Sequence, residues 1–285
     1  MRELYNASAW LIDRNLELGR GDRTAIITRD GKITYAELQG MVFRAQNALE
    51  SLGVRREDRV ALVLNDEPAF PAWFLGAMRS GAVPVPLSTM LKGSELGEII
   101  DDTLAPLLVI SEEYSSYIDD IAKLAPNLRA VVIVGKAEID CSLQSFAWDD
   151  FTDSSQYRVA ATNRDTPAFW LYSSGTTGFP KGVMHRHFNL EATAMTYARS
   201  VLNVQEDDIF YSAAKLFFAF GLGNSLTFPF AFGAAVVLDA QRATPKAIET
   251  TLAQTRPTLF FGSPGLLAAI MDADVREEVF KSVRL

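Results

Sequence analysis

The residues best equipped for chemistry in this 285-residue chain lie between Tyr172 and Gly182. There Tyr-Ser-Ser-Gly-Thr-Thr-Gly-Phe-Pro-Lys-Gly sets four Ser and Thr hydroxyls, three glycines and one lysine into eleven positions. Gly175 and Gly178 let backbone N–H groups approach an anion closely, and Ser173, Ser174, Thr176 and Thr177 add hydroxyl donors. Lys181 brings a positive charge to the same place. The pattern suits a loop that holds phosphate groups.

Two better-known glycine-rich motifs do not fit. A Walker A loop needs Gly-Lys-Ser/Thr opening a helix, whereas Lys181 stands between Pro180 and Gly182, and Val183 and Met184 resume an extended apolar pattern. The apolar run Ala168 to Leu171 before the loop reads as a buried strand, so strand, loop, strand is the expected layout and the phosphates would be gripped by a hairpin. Gly221-Leu-Gly223 lacks the third glycine of a dinucleotide fingerprint and follows a helical rather than a strand pattern.

A second informative segment runs from Lys215 to Asn224. Phe217, Phe218 and Phe220 alternate with Ala219, Gly221 and Gly223, a composition that builds an apolar slot with room for a ring. His185 and His187 form an H-x-H pair with no further His, Cys or carboxylate at ligand spacing. We expect them to shape the corner before Asn189, and expect no metal site.

The elements that must position these residues alternate. Strands are expected at Ala25 to Thr28, Val60 to Leu64, Ala82 to Val85, Leu107 to Ile110, Ala130 to Val134, Ile209 to Tyr211, Ala234 to Leu238 and Thr258 to Phe261. Helices are expected from the capping box Thr34-Tyr-Ala-Glu37, at Pro68 to Ser80, Ser94 to Thr103, Tyr114 to Leu124, Phe188 to Val201, from about Phe217, at Pro245 to Thr255 and at Pro264 to Met271. Asp140 to Asn163 reads as a polar surface connection, and Pro229 to Gly233 as a turn. The rhythm predicts an α/β fold with parallel strands between helices, divided as 1–163 and 164–285, the second subdomain opening on the phosphate loop.

Composition sets outer limits. With 48% hydrophobic residues the chain can bury a sizeable core, and a formal charge of -8 argues against nucleic acid as partner. The stretch from Leu216 to Leu238 is uncharged and long enough for a bilayer, but its glycines, Pro229 and Asn224 and the lack of a basic flank point to buried structure and no membrane. The lone Cys141 fits a reducing compartment, and no secretory leader is legible at the start, so a cytoplasmic location is expected.

The loop at 172–182 resembles the signature of the adenylate-forming superfamily of acyl-CoA synthetases, adenylation domains and luciferases. Tyr5-Asn6-Ala7 with Trp10, the run from Gly81 to Leu87, the run from Ser212 to Asn224 and Phe260-Phe-Gly-Ser-Pro264 are similar to the benzoate-CoA ligase branch. The resemblance implies layered β-sheets flanked by helices, forming the N-terminal part of a large domain whose small C-terminal domain is absent. It also implies ATP-dependent activation of benzoate or a close analogue as acyl-adenylate, followed by transfer to CoA with Mg2+ present. Ser173, Ser174, Gly175, Thr176, Thr177, Gly178 and Lys181 would hold ATP, with Lys181 and Thr176 catalytic. Phe218, Ala219, Phe220 and Gly221 would line the aryl pocket, where Phe220 replaces the branch's usual tyrosine and makes the slot more apolar. The resemblance further implies that a polypeptide ending at Leu285 forms no benzoyl-CoA by itself. The alternative is a ligand-binding or scaffold protein that keeps the fold without the chemistry.

Overall fold

A computed structural model describes residues 3–136, 141–152, 158–173 and 179–285. Five residues of the motif, Ser174, Gly175, Thr176, Thr177 and Gly178, lie outside the described residues. The chain divides into two compact units: Met1–Trp10, Gln39–Asn65 and Ala69–Asn189 in one, Leu11–Leu38, Asp66–Pro68 and Leu190–Leu285 in the other. This differs from the expected division at Asn163. Segments distant in sequence pair into one sheet, so 24–34 joins the second unit while the motif's flanking strands stay in the first.

In chain order the helices are α1 (Ala7–Leu11), α2 (Asp13–Glu17), α3 (Tyr35–Ser51), α4 (Ala69–Ser80), α5 (Gly93–Thr103), α6 (Ile118–Leu124), α7 (His187–Thr193), α8 (Ala219–Leu222), α9 (Phe228–Phe232), α10 (Pro245–Thr255) and α11 (Pro264–Asp272). The capping box at the start of α3 forms as expected: the Thr34 N–H donates to Glu37 at 2.7 Å and the Glu37 N–H to the Thr34 hydroxyl at 3.2 Å.

The first unit carries a fully parallel sheet of β3 (Arg59–Val63), β4 (Val83–Pro86), β5 (Leu107–Ser111), β6 (Ala130–Val134) and β7 (Gln144–Ala147), in the order β4-β3-β5-β6-β7. Ala61, Val63, Leu108, Ile110, Val131 and Ile133 point one way into a core completed by Leu96, Ile99 and Ile100 of α5 and Ile118 and Ile121 of α6. The alternate residues Val60, Leu62, Leu107, Val109 and Val132 are equally buried. Both faces are covered, which is why these strands read as continuous apolar runs. The reading of 140–163 as a surface connection is corrected: Gln144–Ala147 is a paired edge strand, its first two residues exposed, and Trp148 behind it is buried against Trp73.

Beside β4 runs a separate antiparallel hairpin of β8 (Pro167–Ser173) and β9 (Lys181–Arg186). The strand, loop, strand layout is therefore present.

The second unit is built on a sheet of β1 (Thr24–Ile27), β2 (Lys32–Thr34), β10 (Ile209–Ser212), β11 (Ala235–Val237) and β12 (Leu259–Phe261), ordered β12-β10-β11-β1-β2. All pairs are parallel except β1 with β2. Helices α10 and α11 cover one face through Ile248, Leu252 and Ile270. On β10 and β11 packs a helical run made of α8, a π-turn over Gly223–Thr227, and α9. Two expectations change here. The helix begins at Ala219 rather than Phe217, and Pro229 sits inside α9, directly after the π-turn. Gly233, at φ 74°, then closes α9 in the left-handed conformation that favours glycine.

Candidate active site

The β8–β9 hairpin explains how the motif is presented. Its register runs Phe169 to His185, Trp170 to Met184, Leu171 to Val183, Tyr172 to Gly182 and Ser173 to Lys181. Ala168, Phe169 and Leu171 are buried and root the strand, while Ser173 and Lys181 are exposed at its open end. Directly opposed residues in an antiparallel pair have Cα atoms about 4.5–5.5 Å apart. Ser173 and Lys181 therefore stand side by side at the open end of the hairpin, and among the described residues no carboxylate pairs with Lys181.

Cross-strand contacts hold this mouth in place. A Cβ at Gly182 would meet the Tyr172 ring at 3.1 Å, so a side chain there would press that ring from its place across β9. The Tyr172 hydroxyl donates to Asp102 at 2.5 Å, and its pKa is raised by burial and by that carboxylate. His185 lies flat on Phe169, with centroids 4.5 Å apart. His187 is fully buried, and its Nδ1 accepts the Ala7 N–H at 3.0 Å. Burial, reinforced by Arg56, pushes His187 down to about 4, so it is neutral at pH 7. Both histidines thus shape the corner into α7, as their spacing suggested.

In the second unit, the strands β12, β10, β11 and β1 all end at one edge of the sheet, the carboxyl edge where open α/β folds carry their ligand sites. Lys215 to Gly221 follows β10 there, Asp239 follows β11 and Arg29 follows β1. Phe218 and Phe220 are exposed by 46% and 50%, large values for phenylalanines, and Ala219 between them is also exposed. The Phe220 ring meets Phe261 of β12 edge-on at 6.3 Å. Gly221 is buried, and its missing side chain is accounted for by the backbone: a Cβ would stand 2.0 Å from the Lys215 carbonyl oxygen and 2.5 Å from that of Ala214.

Beneath this segment lies a charged set that residue spacing did not reveal. Lys215 Nζ donates to the carbonyls of Asp239 at 2.6 Å and Gln241 at 2.8 Å, and stands 3.9 Å from Asp66. The Asp66 carboxylate, 5% exposed, accepts the Leu216 N–H at 3.0 Å. Burial pushes the Asp66 carboxyl up to about 6, against the pull of Lys215 and the Leu216 amide, while Asp239 and Glu67 push the same way as burial. Asp66 and Asp239 also border a cleft of about 580 Å³ with Arg29 and Lys32 on its wall. A polar Asn65-Asp66-Glu67-Pro68 run after an apolar strand was the available signal. Its contact with Leu216 spans 150 residues and could not be anticipated from spacing.

The sequence profile of the AMP-binding enzyme family matches residues 14–285. The chain belongs to that family. Within the AMP-binding enzymes it is 42% identical over 270 residues to a benzoate-CoA ligase of Thauera aromatica, a match covering 94% of this chain and 50% of that protein. Among solved structures it resembles a benzoate CoA ligase from Burkholderia xenovorans LB400, with TM-score 0.87, 34% identity and coverage of 99% of this chain and 55% of that one. The anthranilate CoA ligase AuaEII, solved in complex with anthranoyl-AMP, gives TM-score 0.90 at 32% identity, covering 96% of this chain and 52% of that one. The chain spans about half the length of these relatives. As an AMP-binding enzyme it has the expected mixed α/β architecture of parallel sheets flanked by helices. Among the described residues no helix is long and apolar enough to cross a membrane.

Proposed function

We propose that this chain is part of an ATP-dependent aryl-acid:CoA ligase. Its substrate is benzoate or a close analogue, consumed in aromatic acid degradation. The observation that carries the reading is the motif 172–182 presented at the open end of the β8–β9 hairpin, in a chain 42% identical to a benzoate-CoA ligase.

In the first half-reaction the substrate carboxylate attacks the α-phosphorus of ATP, forming an acyl-adenylate and releasing pyrophosphate. In the second, the CoA thiol attacks the acyl carbon and AMP leaves. Such chemistry needs charge neutralisation and alignment more than covalent help from the protein. Ser173, Ser174, Gly175, Thr176, Thr177, Gly178 and Lys181 hold the phosphates, with Lys181 and Thr176 stabilising charge as the bond to pyrophosphate breaks. Phe218, Ala219 and Phe220 bind the aryl ring, and Gly221 fixes the turn that presents them. The exposure of Phe218 and Phe220 at the carboxyl edge supports this, because apolar surface at such an edge suits an aromatic ligand. Mg2+ belongs to this reading as the ion accompanying ATP. Among the described residues no group of three His, Cys, Asp or Glu side chains could hold a metal. ATP and CoA as co-substrates, and the single half-buried Cys141, suit a cytoplasmic setting.

The test is pyrophosphate release by the full-length protein supplied with ATP and benzoate, followed by benzoyl-CoA formation on adding CoA. Both products are expected. Absence of pyrophosphate across a panel of benzoates would leave only ligand binding.

A further inference from the structure

We propose that Asp66 is a positioning residue for aryl recognition, a buried carboxylate that fixes the turn from which the exposed rings of Phe218 and Phe220 are presented. The inference rests on the reading of 218–220 as the aryl site and extends it to a residue outside that segment.

Asp66 stands on neither strand nor helix, in a tripeptide that belongs to the second unit. One carboxylate oxygen accepts the Leu216 N–H, and the other faces Lys215 at 3.9 Å. Lys215 is itself held at two carbonyls beyond β11, those of Asp239 and Gln241. Residues 215 and 216 are thereby tied at both the side chain and the backbone. The next two links carry the constraint forward. The Phe218 N–H donates to the Lys215 carbonyl at 3.0 Å, and the Leu222 N–H to the Phe218 carbonyl at 2.7 Å, opening α8. Gly221 closes against the same Lys215 carbonyl. The conformation of Phe218, Ala219 and Phe220 therefore follows from how Lys215 and Leu216 are held.

Stability does not explain the carboxylate. A buried charge with a raised pKa is disfavoured by its surroundings in the ionised form. Its neighbours are mixed: Lys215 attracts it, Asp239 and Glu67 repel it, and Arg29, 3.2 Å from Asp239, lies one contact further away. A disfavoured carboxylate that ties down a presented segment is the pattern of a functional site in a locally destabilised setting.

The experiment compares Asp66→Ala and Asp66→Asn in the full-length enzyme. Asp66→Ala orphans the buried Leu216 N–H and should raise KM for benzoate about tenfold or more, leaving KM for ATP within about twofold. Asp66→Asn keeps a side-chain oxygen for Leu216 and should restore KM for benzoate to within about threefold of wild type. Hydrogen exchange read at Leu216 and Phe218 supplies an arm independent of turnover, and Asp66→Ala should accelerate it at both amides. Unchanged exchange at these amides would overturn the proposal, as would equal rises in both KM values or an Asn variant no better than Ala. Faster exchange with an unchanged KM for benzoate would instead overturn the placement of the aryl site at 218–220, leaving the tie between Asp66 and the turn intact.

Discussion

Gly221 lies so close to Lys215 that a side chain cannot be accommodated between them, a Cβ standing 2.0 Å from the Lys215 carbonyl oxygen. The obstruction is backbone, which cannot swing aside as a flexible side chain would. Gly221→Ala should therefore destabilise the fold by about 1–3 kcal/mol and lower the melting temperature by roughly 2–4 °C per kcal/mol. Thermal unfolding checks this. An unchanged midpoint would mean that the turn adapts without cost.

The rings at the carboxyl edge predict a specificity pattern. Ala219→Leu should fill the space between Phe218 and Phe220 and raise KM for benzoate while sparing KM for ATP. Phe220→Tyr adds a hydroxyl to a half-exposed ring and should change the ranking among benzoates with polar substituents. Identical substrate panels for wild type and both variants would remove this segment from the pocket.

Two buried groups predict opposite responses to acid. His187 has its folded pKa lowered to about 4 from 6.5, so its contribution to stability is fully present above about pH 6.5 and is lost as pH falls towards 4. Asp66 has its folded pKa raised to about 6 from 3.8, so its contribution is fully present below 3.8 and is lost as pH rises through 6. His187→Gln should flatten the loss of stability on acidification between pH 6.5 and 4. Asp66→Asn should leave stability at pH 8 equal to wild type or higher. Urea unfolding midpoints from pH 8 to 4.5 read both, and slopes unaffected by either variant would contradict the burial assigned to these side chains.

Much of this was legible in the chain because parallel strands covered on both faces carry unbroken apolar runs. Ala130–Val134 matches its expected bounds for that reason. The edge strand Gln144–Ala147 was not legible, since its first two side chains are exposed and no alternation marks it. The π-turn at Gly223–Thr227 departs from the 3.6-residue period on which a helix is recognised. For the candidate site, Lys181 and the Ser and Thr hydroxyls announce themselves by type and spacing. Asp66 does not, because its meaning depends on burial and on a partner 150 residues away.

If the hairpin loop carries adenylation, that role falls first on Lys181. Lys181 is exposed opposite Ser173, so truncating its side chain should leave thermal stability nearly unchanged. In the full-length protein Lys181→Ala should lower kcat for benzoate-dependent pyrophosphate release at least tenfold, on the order of 1.4 kcal/mol of lost charge stabilisation. A rate within twofold of wild type, measured on folded protein, would mean that Lys181 and its loop do not carry adenylation.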